Sequence, residues 1–377
     1  MKKILTVLLF TVMIVCAAAF AACGTNNPEK LAPPEDVVEK DNLVFTYNKS
    51  VGTYSVKVKD AGAVTEKITI PGQINGYKVT IIEDYCFIRN EKLKEVVIEP
   101  GITQIGLSAF ASCPALSSIT LPETLISIKK GAFSQCTALN RIQIPDKVRS
   151  IEESAFDGCT ALSEALLPET LMAISNNLFR SCALSSISLP GQIKKIGTNA
   201  FAGCNQLTEV RLNKNLGEIG ANAFYNCTGL TEILFPRNDS LKIGDYAFAN
   251  SGLTKVYIPQ NVTLGTYTFM KLAWDDSIEN PGDAGSKGAS NCTAVYYESP
   301  TGSRGTNVFG YTWNRPDLGF RIYVPAGSLD YYRSDNPGDE SWLRCVVNSV
   351  NSADGTYSVL EEYDIAQVFP DGFPVAP

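Results

Sequence analysis

The stretch Ala109-Phe110-Ala111-Ser112-Cys113-Pro114-Ala115-Leu116-Ser117-Ser118-Ile119-Thr120-Leu121-Pro122-Glu123-Thr124-Leu125-Ile126-Ser127-Ile128-Lys129-Lys130-Gly131-Ala132-Phe133 decides the fold, because it recurs. Phenylalanines stand at 87, 110, 133, 156, 179, 201, 224, 248 and 269, in steps of 23, 23, 23, 23, 22, 23, 24 and 21. A fixed period of this size is the signature of a stacked-repeat architecture. The unit reads Ala-Phe-x-x-Cys-x-x-Leu-x-x-Ile-x-Leu-Pro-x-x-Leu-x-x-Ile, with three residues to the next Ala-Phe. The 22-residue step arises because Cys182 and Leu184 are two apart instead of three, and the 24-residue step from extra residues between Pro236 and Ile243. Both are loop-length changes that leave the apolar positions in place.

The unit's spacing dictates how its side chains are sorted. Leu-x-x-Ile-x-Leu ends in period-2 alternation, so Ile119 and Leu121 face one way and Thr120 the other. Proline then closes the strand where it costs no ladder hydrogen bond. Leu125, Ile128 and Phe133 supply the opposite wall of the coil. One coil buries too few large apolar side chains to offset the ordering of its own backbone, so neighbours must stack.

These in-phase copies resemble the BspA-like, treponemal-type leucine-rich repeat of bacterial surface proteins, over roughly residues 64 to 325. The resemblance implies a mostly β member of the α/β class. Its form would be a curved right-handed solenoid with a parallel sheet on the concave side and short strands or helical turns on the convex side. Ile68-Thr69-Ile70-Pro71 and Gly76-Tyr77-Lys78-Val79-Thr80 resemble the family's opening turn, and Ile322-Tyr323-Val324-Pro325-Ala326-Gly327-Ser328 its closing turn.

The N-terminus carries a different signal. Lys2 and Lys3 precede an apolar run from Ile4 to Val15, and small residues lead to Ala21-Ala22-Cys23. This is the order of a bacterial secretory signal over residues 1–22. Phe20-Ala21-Ala22-Cys23 resembles a lipobox, with Phe where the pattern usually has Leu, which makes Cys23 the expected acylated residue. A polar, proline-bearing tether is expected over 23–42, the solenoid over 43–330 with an irregular insertion at 271–318, and a C-terminal cap or tail over 331–377. The expected location is the bacterial cell envelope, anchored to a membrane by the N-terminal lipid and exposed at the surface.

The chain has 377 residues, 39 acids against 32 Lys and Arg, and no histidine. A formal charge of −7 argues against a general nucleic-acid binder. Without histidine, Ser-His-Asp and Cys-His catalysis and every His-ligated metal site are excluded. Neither a P-loop nor a dinucleotide-binding glycine pattern is present. Ser127-x-x-Lys130 matches a pattern of acyl-transfer enzymes, yet both residues fill variable polar positions of one repeat. No enzyme and no cofactor are expected. Of eleven cysteines, six share one repeat position, at 113, 136, 159, 182, 204 and 227, where outer copies have Asn90 and Ser251. Since those substitutions dispense with sulfur, free inward thiols are expected there rather than disulfides.

Recognition is expected on the outward positions of the concave strands. The residue between Ile and Leu runs Val97, Thr120, Gln143, Leu166, Ser188, Arg211, Leu234 and Tyr257 along the stack. Leu234 and Tyr257, flanked by Arg211 and Lys255, form the candidate contact patch for a protein partner, and the resemblance implies adhesion or partner binding. The alternative is a glycan-binding or glycan-processing accessory role centred on the aromatic insertion, with Trp274, Tyr296 and Trp313 as its site.

Overall fold

The computed structural model describes residues 34–238, 240–270, 292, 294–298, 321–328, 360–363, 365–371 and 373–375. The signal segment, Cys23, Trp274 and Trp313 lie outside the described residues. The chain winds into a solenoid of about ten turns, with almost no helix among the described residues. Each coil contributes three segments, and each segment stacks on its equivalent in the next coil.

The long strands come from the Ile-x-Leu segment. Lys67–Ile70, Glu95–Ile98 and Ser118–Thr120 pair in parallel, as do Arg141–Gln143 with Glu164–Leu166, and Ser186–Ser188 with Glu209–Arg211. At the far end Lys255–Ile258, Ala294–Tyr297, Arg321–Pro325 and Leu360–Tyr363 form one four-stranded parallel sheet. The expected alternation holds: Ile142, Ala165, Ile187 and Val210 are buried between exposed neighbours. This row is nevertheless interrupted, and Leu234 contributes only an isolated bridge to Tyr257. A second row of two-residue strands, such as Gln104–Ile105, Ser127–Ile128 and Ser150–Ile151, pairs in parallel with each isoleucine over the next.

The third segment, the turn around each Phe, is the unbroken spine. At every one of the eight steps from Phe87 to Phe269, three N–H groups donate to carbonyls one coil on: those of the Phe, of the residue two before it and of the residue two after it. In one coil these are Ser154 to Asn176, Phe156 to Leu178 and Gly158 to Arg180, at 3.0, 3.1 and 2.8 Å. The intervening N–H groups bond locally, as in Ala155 to Glu152 and Asp157 to Ser154 at 3.3 and 3.1 Å. A helix would direct all of them inward along its own axis. Here left-handed backbone alternates the directions. Residues at −2 and +2 from Phe have positive φ in every coil from Phe87 to Phe248, among them Ser108, Ser112, Asn177, Asn199, Asn222 and Asn226, with glycine at 131, 158 and 203. Asn and Gly tolerate this region best, which explains their frequency there.

That geometry stacks the rings. From Phe87 to Phe269 successive phenylalanine centroids are 5.1–5.7 Å apart with interplanar angles of 5–17°. Beside them run the thiols. Cys113, Cys136, Cys159, Cys182, Cys204 and Cys227 are free and buried, and each donates its S–H to the carbonyl of the Phe one coil back at 3.1–3.2 Å. Asn90, at the same position, donates to the Ala61 carbonyl and accepts from the Lys92 and Leu93 N–H groups. The position therefore requires a small hydrogen-bonding side chain, which either residue type supplies.

Three segments outside the consensus repeats add strands to the stack. The expected tether ends sooner, because Val37–Lys40 (β1) pairs antiparallel with Leu43–Asn48 (β2), which pairs with Thr53–Val58 (β3). This hairpin adds to the stack through a parallel pairing of β3 with Tyr77–Ile82 and covers the first coil's edge. Within the expected insertion, Ala294–Tyr297 is a regular strand of the far sheet. Within the expected cap or tail, Leu360–Tyr363 adds another strand, followed by a helical turn, Ile365–Val368 (α1). In the last two cases hydrogen bonding to an open sheet edge recruits segments that lack the repeat's consensus.

Removing one ring should open a cavity in the spine. Phe156→Ala, between Phe133 and Phe179, is expected to cost about 3–5 kcal/mol and to destabilise adjacent coils with it. Thermal unfolding measures this, and a wild-type melting temperature would contradict it. Burial holds the thiols protonated: those of Cys159 and Cys204 are pushed from about 9 up to about 12, with backbone hydrogen bonds acting in the opposite direction. Because the folded value is raised, the stability they contribute is fully present below pH about 9 and falls as pH climbs toward 12. At pH 8, iodoacetamide should modify the six ladder cysteines only after denaturation, and linked Cys113–Cys136 or Cys159–Cys182 peptides in the native protein would contradict the free-thiol reading.

Candidate functional site

The outward face of the long strands is the surface the fold leaves open to a partner. Its inward neighbours Val210, Leu212, Ile233, Phe235, Val256 and Ile258 are all buried, so the alternating positions between them are turned to the other side. Across the middle coils the face is polar and grooved. A groove of about 660 Å³ is lined by Ser118, Thr120, Glu123, Arg141 and Gln143, and one of about 550 Å³ by Glu164, Leu166, Ser186 and Ser188. Arg141 meets Glu164 at 3.4 Å and Lys67 meets Glu95 at 2.7 Å, exposed pairs that contribute little stability. Leu166, 42% exposed, is an apolar point on this face that singling out Leu234 and Tyr257 overlooked.

The candidate patch residues sit in distinct surroundings. Arg211 is exposed, and its Nε donates to Glu209 Oε1 on the same strand at 2.6 Å, leaving other guanidinium donors outward. Lys255 is exposed at the start of its strand. Leu234 is half-buried and packs against the core, so it offers less surface than its position in the row suggests. Tyr257 is half-buried because its ring stacks on Tyr296 at 5.5 Å and meets Phe369 and Phe373 at near right angles. Burial first, and then the charge of Glu232, raises its phenol above the ordinary value.

Tyr296 belongs to the same row rather than to a separate insertion site. It lies between Tyr257 and Tyr323, with Tyr323 at 4.6 Å and 10°. The ring faces it would offer a sugar are turned to its neighbours. The signal for this ladder was present in the sequence, since Val256-Tyr257-Ile258-Pro259 and Ile322-Tyr323-Val324-Pro325 share one pattern. What sequence could not show was the return of Phe369 and Phe373 onto it from beyond the repeats.

Chemistry-bearing clusters are sparse. Among the described residues no group of three or more Cys, Asp or Glu is placed to hold a metal ion, and no helix is long and apolar enough to cross a membrane. The Lys130 ammonium of the Ser-x-x-Lys pattern is held by Glu153 at 3.1 Å on the two-residue-strand side of the coil.

The sequence matches the model of the BspA-type leucine-rich repeat region in six copies, over residues 64–182 and 162–274. Among solved structures, a leucine-rich repeat protein from Bacteroides ovatus is 22% identical with a TM-score of 0.52, covering 76% of this chain and 72% of that one. The leucine-rich repeat protein of T. pallidum is 25% identical with a TM-score of 0.47, covering 51% of this chain and 90% of its own. A leucine-rich cell surface protein from Faecalibacterium prausnitzii is 20% identical with a TM-score of 0.45, covering 85% and 99%. No curated protein matches the sequence. Nine in-phase phenylalanine turns, the parallel rows they align and a family match spanning more than half of the chain lead to one assignment: this protein belongs to the BspA-type leucine-rich-repeat family.

Proposed function

We propose that this chain is a lipid-anchored protein of the bacterial cell envelope that binds protein partners through the outward face of its long strands, without catalysis. The observation that carries the reading is that face itself. The solenoid buries its apolar side chains inside and leaves a row of alternating positions turned outward, polar and grooved in the middle coils and aromatic at the far end. Extended faces of this kind are the binding surfaces of repeat proteins. Arg211 supplies a forked donor for a partner's carboxylate and Lys255 a second exposed cation on the same face. Membership of the BspA-type leucine-rich-repeat family supports a role as an interaction scaffold. The glycan reading has less support, because Tyr296 spends its ring faces on other tyrosines. Membrane attachment rests on Lys2, Lys3, the apolar run and Cys23.

Two measurements check this. Metabolic labelling with a fatty-acid probe should mark the wild type and not Cys23→Ser, and equal labelling of both would remove the anchor. Proximity labelling on intact cells should identify a protein partner. The exposed double variant Arg211→Ala, Lys255→Ala should melt like the wild type yet bind that partner more weakly by about 2 kcal/mol if either is a hot spot. Undiminished capture would move the site off this face.

A further inference from the structure

The far end of the long-strand face holds an aromatic site that the chain itself occupies. Parallel register places Tyr257, Tyr296 and Tyr323 at the same outward position of three successive coils. Their rings stack at 5.5 and 4.6 Å, within 17° of parallel. Two phenylalanines from beyond the repeats close on this ladder at near right angles. Phe369 meets Tyr257 at 5.7 Å and Tyr296 at 5.4 Å, both at 79°, and Phe373 meets Tyr257 at 6.1 Å and 86°. The pair also contact each other at 5.4 Å and 76°. They lie in Phe369-Pro370-Asp371-Gly372-Phe373-Pro374, where each aromatic residue is followed by proline.

We propose that the Tyr257–Tyr296–Tyr323 ladder is a binding site for peptide segments carrying two proline-flanked aromatic residues four positions apart, and that Phe369–Pro374 is its resting, intramolecular occupant. The proposal rests on the reading of this face as the interaction surface and names the chemistry of what it takes. Perpendicular contacts of this kind pair the positive edge of one ring with the negative face of the other, an arrangement that selects aromatic residues over aliphatic ones. Proline restricts the backbone beside each aromatic residue, so little conformational freedom is lost on docking. Burial within the described residues of the segment is greatest at a ring. Phe373 is 6% exposed, whereas Val368 is 45% exposed and Pro370 and Asp371 are also exposed. The helical turn that leads into it has only four residues. An external segment of the same chemistry competes with a tethered one, whose high effective concentration masks the site until the competitor is abundant or better matched.

The test uses the full mature chain and a fluorescent peptide with the sequence of residues 364–377. A Phe369→Ala, Phe373→Ala variant has its site vacated, and it should bind this peptide at least tenfold more tightly than the wild type does. Adding Tyr296→Ala should abolish that binding, and a peptide with both phenylalanines replaced by alanine should not bind. A double variant that melts like the wild type but binds the peptide no better would overturn the proposal. Should the double variant unfold, the wild type decides. Saturating peptide should accelerate hydrogen exchange in residues 360–375 as the resident segment is displaced, and unchanged exchange up to millimolar peptide would show a structural cap and no site. The probe is the peptide alone, so a negative outcome here leaves the partner-capture experiment with Arg211 and Lys255 to stand or fall by itself.

Discussion

Everything in this solenoid depends on how the backbone turns at each phenylalanine. A left-handed residue two positions before the ring and another two positions after it split the N–H groups into two sets. One set closes the turn locally and the other reaches the next coil. A coil of 23 residues has few ways to satisfy its backbone, and this alternation lets a tight, buried turn do so without becoming a helix. The cost of positive φ at serine, asparagine and even tyrosine is carried because three inter-coil hydrogen bonds and a stacked ring accompany every such pair.

The spine fixes the register for the rest. With the phenylalanines locked one above another, the two-residue strands fall isoleucine over isoleucine, and the long strands present the same alternation coil after coil. The long-strand row can therefore be interrupted, as it is around Leu234, without breaking the stack. That division of labour bears on function. The face proposed for recognition contributes least to continuity, so its outward residues are free to vary from Thr120 and Gln143 to Arg211 and Tyr257. The buried cysteines serve the spine, each thiol adding a contact to the preceding phenylalanine's carbonyl, which is why asparagine can replace them at Asn90.

Much of this is legible in the residues. The spacing of Phe and Cys, the Ile-x-Leu alternation and the closing proline dictate stacked parallel coils, and the inward set Val210, Ile233 and Val256 lies where alternation puts it. The turn row was less legible, because its signature is a preference for Asn, Gly and Ser at −2 and +2 that Tyr85, Arg89, Gln135 and Tyr246 dilute. The ends were least legible. Val37–Lys40 and Leu360–Tyr363 become strands because a sheet edge offers unpaired backbone groups, and backbone pairing leaves little mark on side-chain pattern. For the site, alternation gave the orientation of Arg211, Leu234 and Tyr257 but not their partners. That Tyr257 is shared with Tyr296, Phe369 and Phe373 follows from contacts far apart in sequence, which no local periodicity encodes.

The central claim is that the phenylalanine turns, and not the strands alone, are the continuous hydrogen-bonded spine. Native-state hydrogen exchange resolved to single amides tests it most directly. The account predicts that the amides of Phe110, Phe133, Phe156, Phe179, Phe201 and Phe224, with those two residues on either side, exchange as slowly as the slowest strand amides and as one cooperative block. Turn amides that exchange within seconds while the strand amides stay protected would contradict it.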